Sequence, residues 1–125
     1  MNCFTIKGKL PGLNEYTRAC RGKNGDRLGA KFKRDVEEQI GWAIKLARAS
    51  KTLHAVTEPV IVRIDWHEST KRRDVDNIVF AKKFILDALV HHGILTDDGR
   101  KYVRQIYDTV IDNKTDFVVV TLEEI

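Results

Sequence analysis

The stretch 60–91 places a strand pattern directly before a helix pattern, with a highly charged loop between them. In 60–67, VIVRIDWH, hydrophobic residues alternate with residues that are mostly polar, which predicts a strand with one buried face. The loop 68–73 leads into an apolar stripe of helical spacing over 76–91, and Gly93 follows as a residue suited to the C′ position of that helix. The stretch therefore predicts a strand and a helix that each bury one apolar side.

Four further segments complete a predicted order of β-α-β-α-β-β. They are a strand over Cys3–Lys7, an amphipathic helix over Lys31–Ala49, and two strands over Val103–Ile111 and Phe117–Leu122. The last two strands are joined at 112–114 and predict an antiparallel hairpin. The order predicts an α+β fold, a single domain over 1–125 with a mixed sheet and two main helices packed on it.

The segment Leu13–Gly29 contains three glycines and little hydrophobic periodicity, which predicts a long, mobile loop of a kind that is often functional. Basic residues are concentrated here: Arg18–Arg34 holds seven of them against one acid, Asp26, a net charge of +6. Such a concentration of charge predicts contact with a phosphate backbone. The alternative is a basic loop that is simply solvated.

Composition favours a protein that works inside the cell. The content of 42% hydrophobic and 32% charged residues is ordinary for a soluble globular protein. No apolar run approaches the ~20 residues that span a bilayer, and the N-terminus lacks a long apolar segment of signal-peptide type. The two cysteines, Cys3 and Cys20, are too few and too far apart for a CxxC-type zinc site. We therefore expect a cytoplasmic protein with reduced thiols and no membrane contact.

Two acids at the start of the predicted helix are candidate metal ligands. Asp74 and Asp76 are two residues apart, and in extended chain that spacing puts both carboxylates on one side, where both could reach one hard cation. The cations of 71–73 precede them, which suits a site that holds a phosphate and a divalent metal together. The alternative is a solvated turn in which those cations neutralise the acids and one Asp caps the helix.

The sequence resembles the RusA-type Holliday junction resolvases, small phage and prophage endonucleases. The likeness is carried, in order, by Arg73-Asp74-Val75-Asp76-Asn77, Lys83, Asp87-Ala88-Leu89, Gly93 and Asp97-Asp98, with a weaker match at Pro11–Asn14. It covers most of the chain, and the combination is far more specific than any of its parts.

The resemblance implies a site and a cofactor. Asp74, Asp76 and Asp98 would be metal-binding catalytic acids that take Mg²⁺, with Asp97 the less favoured member of its pair. Lys83 would be the active-site lysine, although it follows Asp76 by seven residues where the family's more familiar spacing is about one helical turn, and Lys82 competes with it for the role.

The resemblance also implies a partner and a reaction. It predicts a homodimer that resolves four-way DNA junctions by paired symmetric nicks, in recombination and repair. The side chains predicted to bind DNA are Asn14, Arg18, Arg21, Lys23, Arg27, Lys71, Arg72, Arg73 and Asn77. A metal-dependent nuclease for flap or other branched DNA is the nearest alternative. A non-catalytic phage DNA-binding protein, with purely structural acids, is the second.

Overall fold

The computed structural model describes residues 1–125, which form one four-stranded sheet and four helices. In chain order the elements are β1 (Asn2–Lys7), α1 (Leu13–Cys20), α2 (Gly25–Ala49), β2 (Val60–Glu68), α3 (Val75–Val79), α4 (Lys82–His91), β3 (Val103–Asp112) and β4 (Phe117–Glu124). The sheet has the order β1-β4-β2-β3, in which β2 is antiparallel to β4 and parallel to β3. The prediction of an α+β fold with a mixed sheet is confirmed.

One face of the sheet carries the hydrophobic core. The buried residues of β2 are alternate ones, including Val62, Ile64 and Trp66, each at most 1% exposed. On α2 the residues Val36, Ile40 and Ile44 recur at helical spacing, and they join the same cluster of 26 buried residues as the strands and α4. No helix combines the length and the apolar character needed to cross a membrane.

The predicted hairpin of the last two strands is wrong, because β2 lies between β3 and β4. The connection between them crosses the carboxyl end of β2 and is hydrogen-bonded to it. The N–H of Asn113 donates to the carbonyl of Glu68 at 2.9 Å, and the N–H and hydroxyl of Ser69 donate to the carboxylate of Asp116. A hairpin is the simplest arrangement of two adjacent strands in sequence, but the pairing of β2 with both of them is a long-range choice.

The predicted loop over 13–29 is also wrong, since it contains α1 and the first residues of α2. Helix α1 has only eight residues and no buried residue, so its short apolar side gives a weak signal of periodicity. It is held instead through Tyr16, whose ring lies 5.5 Å from Phe32, 5.5 Å from Phe80 and 5.8 Å from Phe84 between centroids.

The helix predicted over 76–91 is split into α3 and α4. At the break the backbone bonds shorten to i→i−3, from Ala81 to Ile78 and from Lys83 to Phe80. Helix α4 then ends at His91, and Gly93 has a φ of +72°, the left-handed conformation that glycine adopts at C′. The prediction for Gly93 is confirmed.

Candidate functional site

Asp74 and Asp76 stand at the start of α3. Asp74 is the extended N-cap residue, with φ −74° and ψ 157°, and its side chain makes no capping hydrogen bond. Asp76 lies in the first helical turn, where its Oδ1 accepts the N–H of Asn77 at 3.0 Å. The expectation that both acids share an extended segment is therefore wrong for Asp76. Both side chains belong to exposed residues.

The neighbouring cations do not neutralise these two acids. The guanidinium of Arg73 bonds the carboxylate of Glu68 at 3.1 and 2.8 Å, and the ammonium of Lys71 lies 3.8 Å from Asp112. No ion pair involves Asp74 or Asp76. Of the alternative, a charge-neutralised turn with a capping Asp, the structure has Asp74 at the N-cap position but no ion pair and no capping hydrogen bond from its side chain.

Arg73 is directed into the protein. Its side chain is 9% exposed, and besides Glu68 it reaches the carbonyl of Leu10 at 2.9 Å and Glu15 at 3.9 Å. A side chain with these partners is a structural anchor, so its predicted contact with DNA has no support in this geometry.

Glu68 did not emerge from the sequence as a site residue. The sequence does contain a signal for it. The alternation of 60–67, extended by one residue, puts Glu68 on the buried face of the strand, five residues before Arg73.

Two residues that were predicted to bind DNA contact each other. The Oδ1 atom of Asn77 accepts the backbone N–H of Asn14 at 2.9 Å. This bond joins the first turn of α1 to α3, across 63 residues of chain. The amide oxygen of Asn77 is therefore engaged within the protein.

Lys82 and Lys83, the two candidates for the active-site lysine, have different surroundings in the structure. Lys83 is 62% exposed, and its Nζ lies 3.0 Å from Asp87 Oδ1 and 3.5 Å from Asp98 Oδ2. The hydrogen bond to Asp87 raises the pKa of Lys83, so its ammonium stays protonated. Lys82 points to the sheet, where its Nζ contacts Asp108 Oδ2 at 2.8 Å. Only Lys83 lies beside a predicted site acid.

The predicted metal ligands do not form one group. Asp74, Asp76 and Asp98 offer the carboxylate oxygens that Mg²⁺ prefers, but the structure contains no group of three or more His, Cys, Asp or Glu side chains that could hold a metal ion. Asp98 lies beside the ammonium of Lys83 instead. Asp74 and Asp76 keep exposed carboxylates of the type that could hold Mg²⁺, and Asp98 does not join them in a three-residue group.

The resemblance to the resolvases depends on these motif residues alone. Neither a protein-family model nor a curated protein matches the chain. The resemblance to RusA-type resolvases therefore stays a hypothesis that depends on the quoted motif residues, and function has to be argued from their placement.

The basic segment is a helical surface. It comprises the end of α1, a turn over 21–24 and the first turns of α2. Two of its cations are paired with acids, Lys31 with Asp35 and Lys33 with Asp87. Five others are exposed and form no ion pair: Arg18, Arg21, Lys23, Arg27 and Arg34.

Proposed function

We propose that this protein is a structure-specific DNA endonuclease that resolves four-way (Holliday) junctions by paired symmetric nicks, in recombination and repair. The observation that carries the proposal is the state of Asp74 and Asp76, two exposed carboxylates without a cationic partner although Lys71, Arg72 and Arg73 directly precede them. Carboxylates kept free beside basic residues suit a site for phosphodiester hydrolysis. The resemblance to RusA-type resolvases supplies the substrate.

The chain's own residues divide the work between binding and chemistry. The five unpaired cations of the basic segment would hold DNA arms through phosphates, without reading sequence. Lys83, kept protonated by Asp87, would place a positive charge near the scissile phosphate. Asp74 and Asp76 would act on the water and the reacting phosphate.

Mg²⁺ is part of the proposal as the cofactor that the family resemblance implies. When bound, such an ion activates water and stabilises charge on phosphate oxygens. Asp74 and Asp76 would supply carboxylate ligands for this ion.

Paired nicks have a geometric requirement. Two symmetric cuts are made most simply by two sites related by a two-fold axis, so we propose a homodimer as the active form. Sedimentation with and without junction DNA measures this, and a pure monomer in both would contradict it.

The proposed location is the cytoplasm, where thiols such as Cys3 and Cys20 stay free.

The test is cleavage of an immobile four-way junction with Mg²⁺ or EDTA, by the wild-type protein and by Asp76→Asn. We expect paired symmetric nicks that require both the metal and Asp76, with junction binding retained in the variant because the cations are untouched. Asp65→Asn is the matched control, since Asp65 lies on β2 between the buried Ile64 and Trp66, faces the opposite side of the strand and takes part in no ion pair.

Flap and linear duplex DNA distinguish the alternatives. Faster cleavage of flaps than of junctions would assign the protein to nucleases of other branched DNA. Tight junction binding with no cleavage under any divalent metal would favour a non-catalytic DNA-binding protein. Normal cleavage by Asp76→Asn would contradict the proposed site.

A further inference from the structure

Both residues that flank Asp74-Val75-Asp76 bond to the segment that leads into α1. Arg73 donates to the carbonyl of Leu10 at 2.9 Å, and Asn77 accepts from the N–H of Asn14 at 2.9 Å. The acids are thus flanked by two side chains that are hydrogen-bonded to residues 10–14. The turn that carries the acids and the start of α1 are fastened at two points.

Gly12 shows how closely the two segments approach. A Cβ atom added at Gly12 would lie 2.6 Å from Asn77 Oδ1 and 2.7 Å from its backbone oxygen. Side-chain and backbone atoms of Asn77 would both have to move to admit it. The contact at Asn77 therefore requires glycine at this position of the chain.

Helix α1 depends on this contact for its own start. Its N-cap residue is Gly12, which has no side chain to accept the free N–H groups of the first turn. Asn77 supplies the missing acceptor from α3, and asparagine is among the residues that cap helices best. Since α1 buries no residue of its own, this cap and the ring contacts of Tyr16 hold it in place.

We propose that Asn77 is a positioning residue, which caps α1 from α3 and thereby fixes the basic surface relative to Asp74 and Asp76. Arg18 lies on α1, and Arg21 and Lys23 follow directly in the turn, so phosphates held there are set at a fixed distance from the acids. Loss of the cap would leave the cations and the acids intact but free to shift against each other. The inference rests on the proposed nuclease function.

The experiment compares Asn77→Ala, Asn77→Asp and wild type by hydrogen exchange of residues 13–18 and by junction cleavage. Asn77→Ala removes the acceptor, so we expect about fivefold faster exchange in α1 and a loss of cleavage of about 10- to 100-fold, with nicks spread over neighbouring phosphates. Asp accepts the same N–H, so Asn77→Asp should restore both the exchange protection and most of the cleavage. Gln105→Ala is the matched control, because it also removes an amide oxygen that accepts a hydrogen bond, from the hydroxyl of Tyr107 at 3.2 Å, but on β3.

A second variant disrupts the contact between Gly12 and Asn77 by changing Gly12 instead. Gly12→Ala leaves Asn77 in the chain but forces it away from α1, so it should reproduce the effects of Asn77→Ala on exchange and on nick position. If Gly12→Ala fails to fold, the Asn77 pair still decides the matter.

The outcomes separate this inference from the proposed function. Loss of cleavage in both Asn77 variants with α1 fully protected would overturn the inference, since it would mean that the amide itself contacts DNA or the reacting groups. Unchanged exchange and cleavage in Asn77→Ala would overturn it as well. A wild-type protein that cuts no DNA would instead overturn the proposed function, while the exchange comparison would still test the cap.

Discussion

Arg73 and Glu68 form an ion pair in which both side chains are nearly buried, 9% and 4% exposed. Their two hydrogen bonds, at 3.1 and 2.8 Å, satisfy a carboxylate that the alternation of β2 directs into the core. Removal of one partner from such a pair leaves an uncompensated charge where water is excluded. The pair thus ties the loop before the acids to the end of the central strand.

We predict that Glu68→Gln lowers the free energy of unfolding by about 3 kcal/mol. The Arg63–Glu123 pair is the control, because it is as short, 2.7 Å, but 45% and 43% exposed. Glu123→Gln should cost less than about 1 kcal/mol, since water screens an exposed pair. Urea unfolding of both variants measures the difference, and equal losses would contradict a structural role for the buried pair.

At the scale of elements, the end of α4 is joined to α2. A Cβ added at Gly41 would lie 2.8 Å from Nε2 of His92, so this ring sits close against the α2 backbone. Arg48, also on α2, donates to the carbonyl of His92 at 2.9 Å. Burial lowers the pKa of His92, and the charges of His91, Lys45 and Arg48 lower it further. His92 is therefore packed as a neutral ring at this junction. The junction also lines a surface cavity of about 540 Å³, to which the predicted site acids do not contribute.

We predict that this junction weakens in acid. Because the pKa of His92 is lower in the folded chain than in the unfolded one, the unfolded state binds more protons, and stability falls as the pH drops below about 6.5. His92→Gln should lose less stability than wild type between about pH 7.5 and about pH 5, measured by urea midpoints. His54→Gln is the control and should follow wild type, because the exposed His54 is not among the groups that lower the pKa of His92. Equal losses in wild type and His92→Gln would contradict the prediction.

At the scale of the whole molecule, charge is distributed unevenly. The chain carries a net charge of +4, although Arg18–Arg34 alone carries +6. This excess lies on one helical surface, at the end of α1 and the start of α2. A long-range field of this kind attracts the phosphate backbone irrespective of base sequence.

We predict that this surface sets the salt dependence of junction binding. Each phosphate contact contributes about 0.9 to the slope of log K against log salt concentration. Replacement of Arg18, Arg21, Lys23 and Arg27 by Gln should therefore reduce the slope by about 2 to 4. The control removes the same charge elsewhere, with Lys45, Lys51, Lys101 and Arg104 changed to Gln. Equal slopes for the two variants would show that only net charge matters.

Local patterns in the sequence were sufficient for several features. Three predictions depended only on residues a few positions apart, and the structure has all three. They are the alternation of 60–67, the apolar stripe in the second half of α2 and the glycine that follows α4. The α+β class follows from their order. The pairing of exposed Lys83 with Asp87 is likewise a local i,i+4 contact.

Other features were decided only by the tertiary structure, because they depend on residues far apart in the chain. Helix α1 precedes a segment rich in glycine and charge and buries no residue of its own. It is held by residues far along the chain, since Asn77 bonds the N–H of Asn14 across 63 residues and the rings of Phe80 and Phe84 pack on Tyr16. The insertion of β2 between β3 and β4 has the same origin. Arg73 pairs with Glu68, five residues away, rather than with the adjacent Asp74, because the fold buries Glu68 and leaves Asp74 exposed. Sequence determined which side chains the site could use, and long-range packing decided which of them were already engaged.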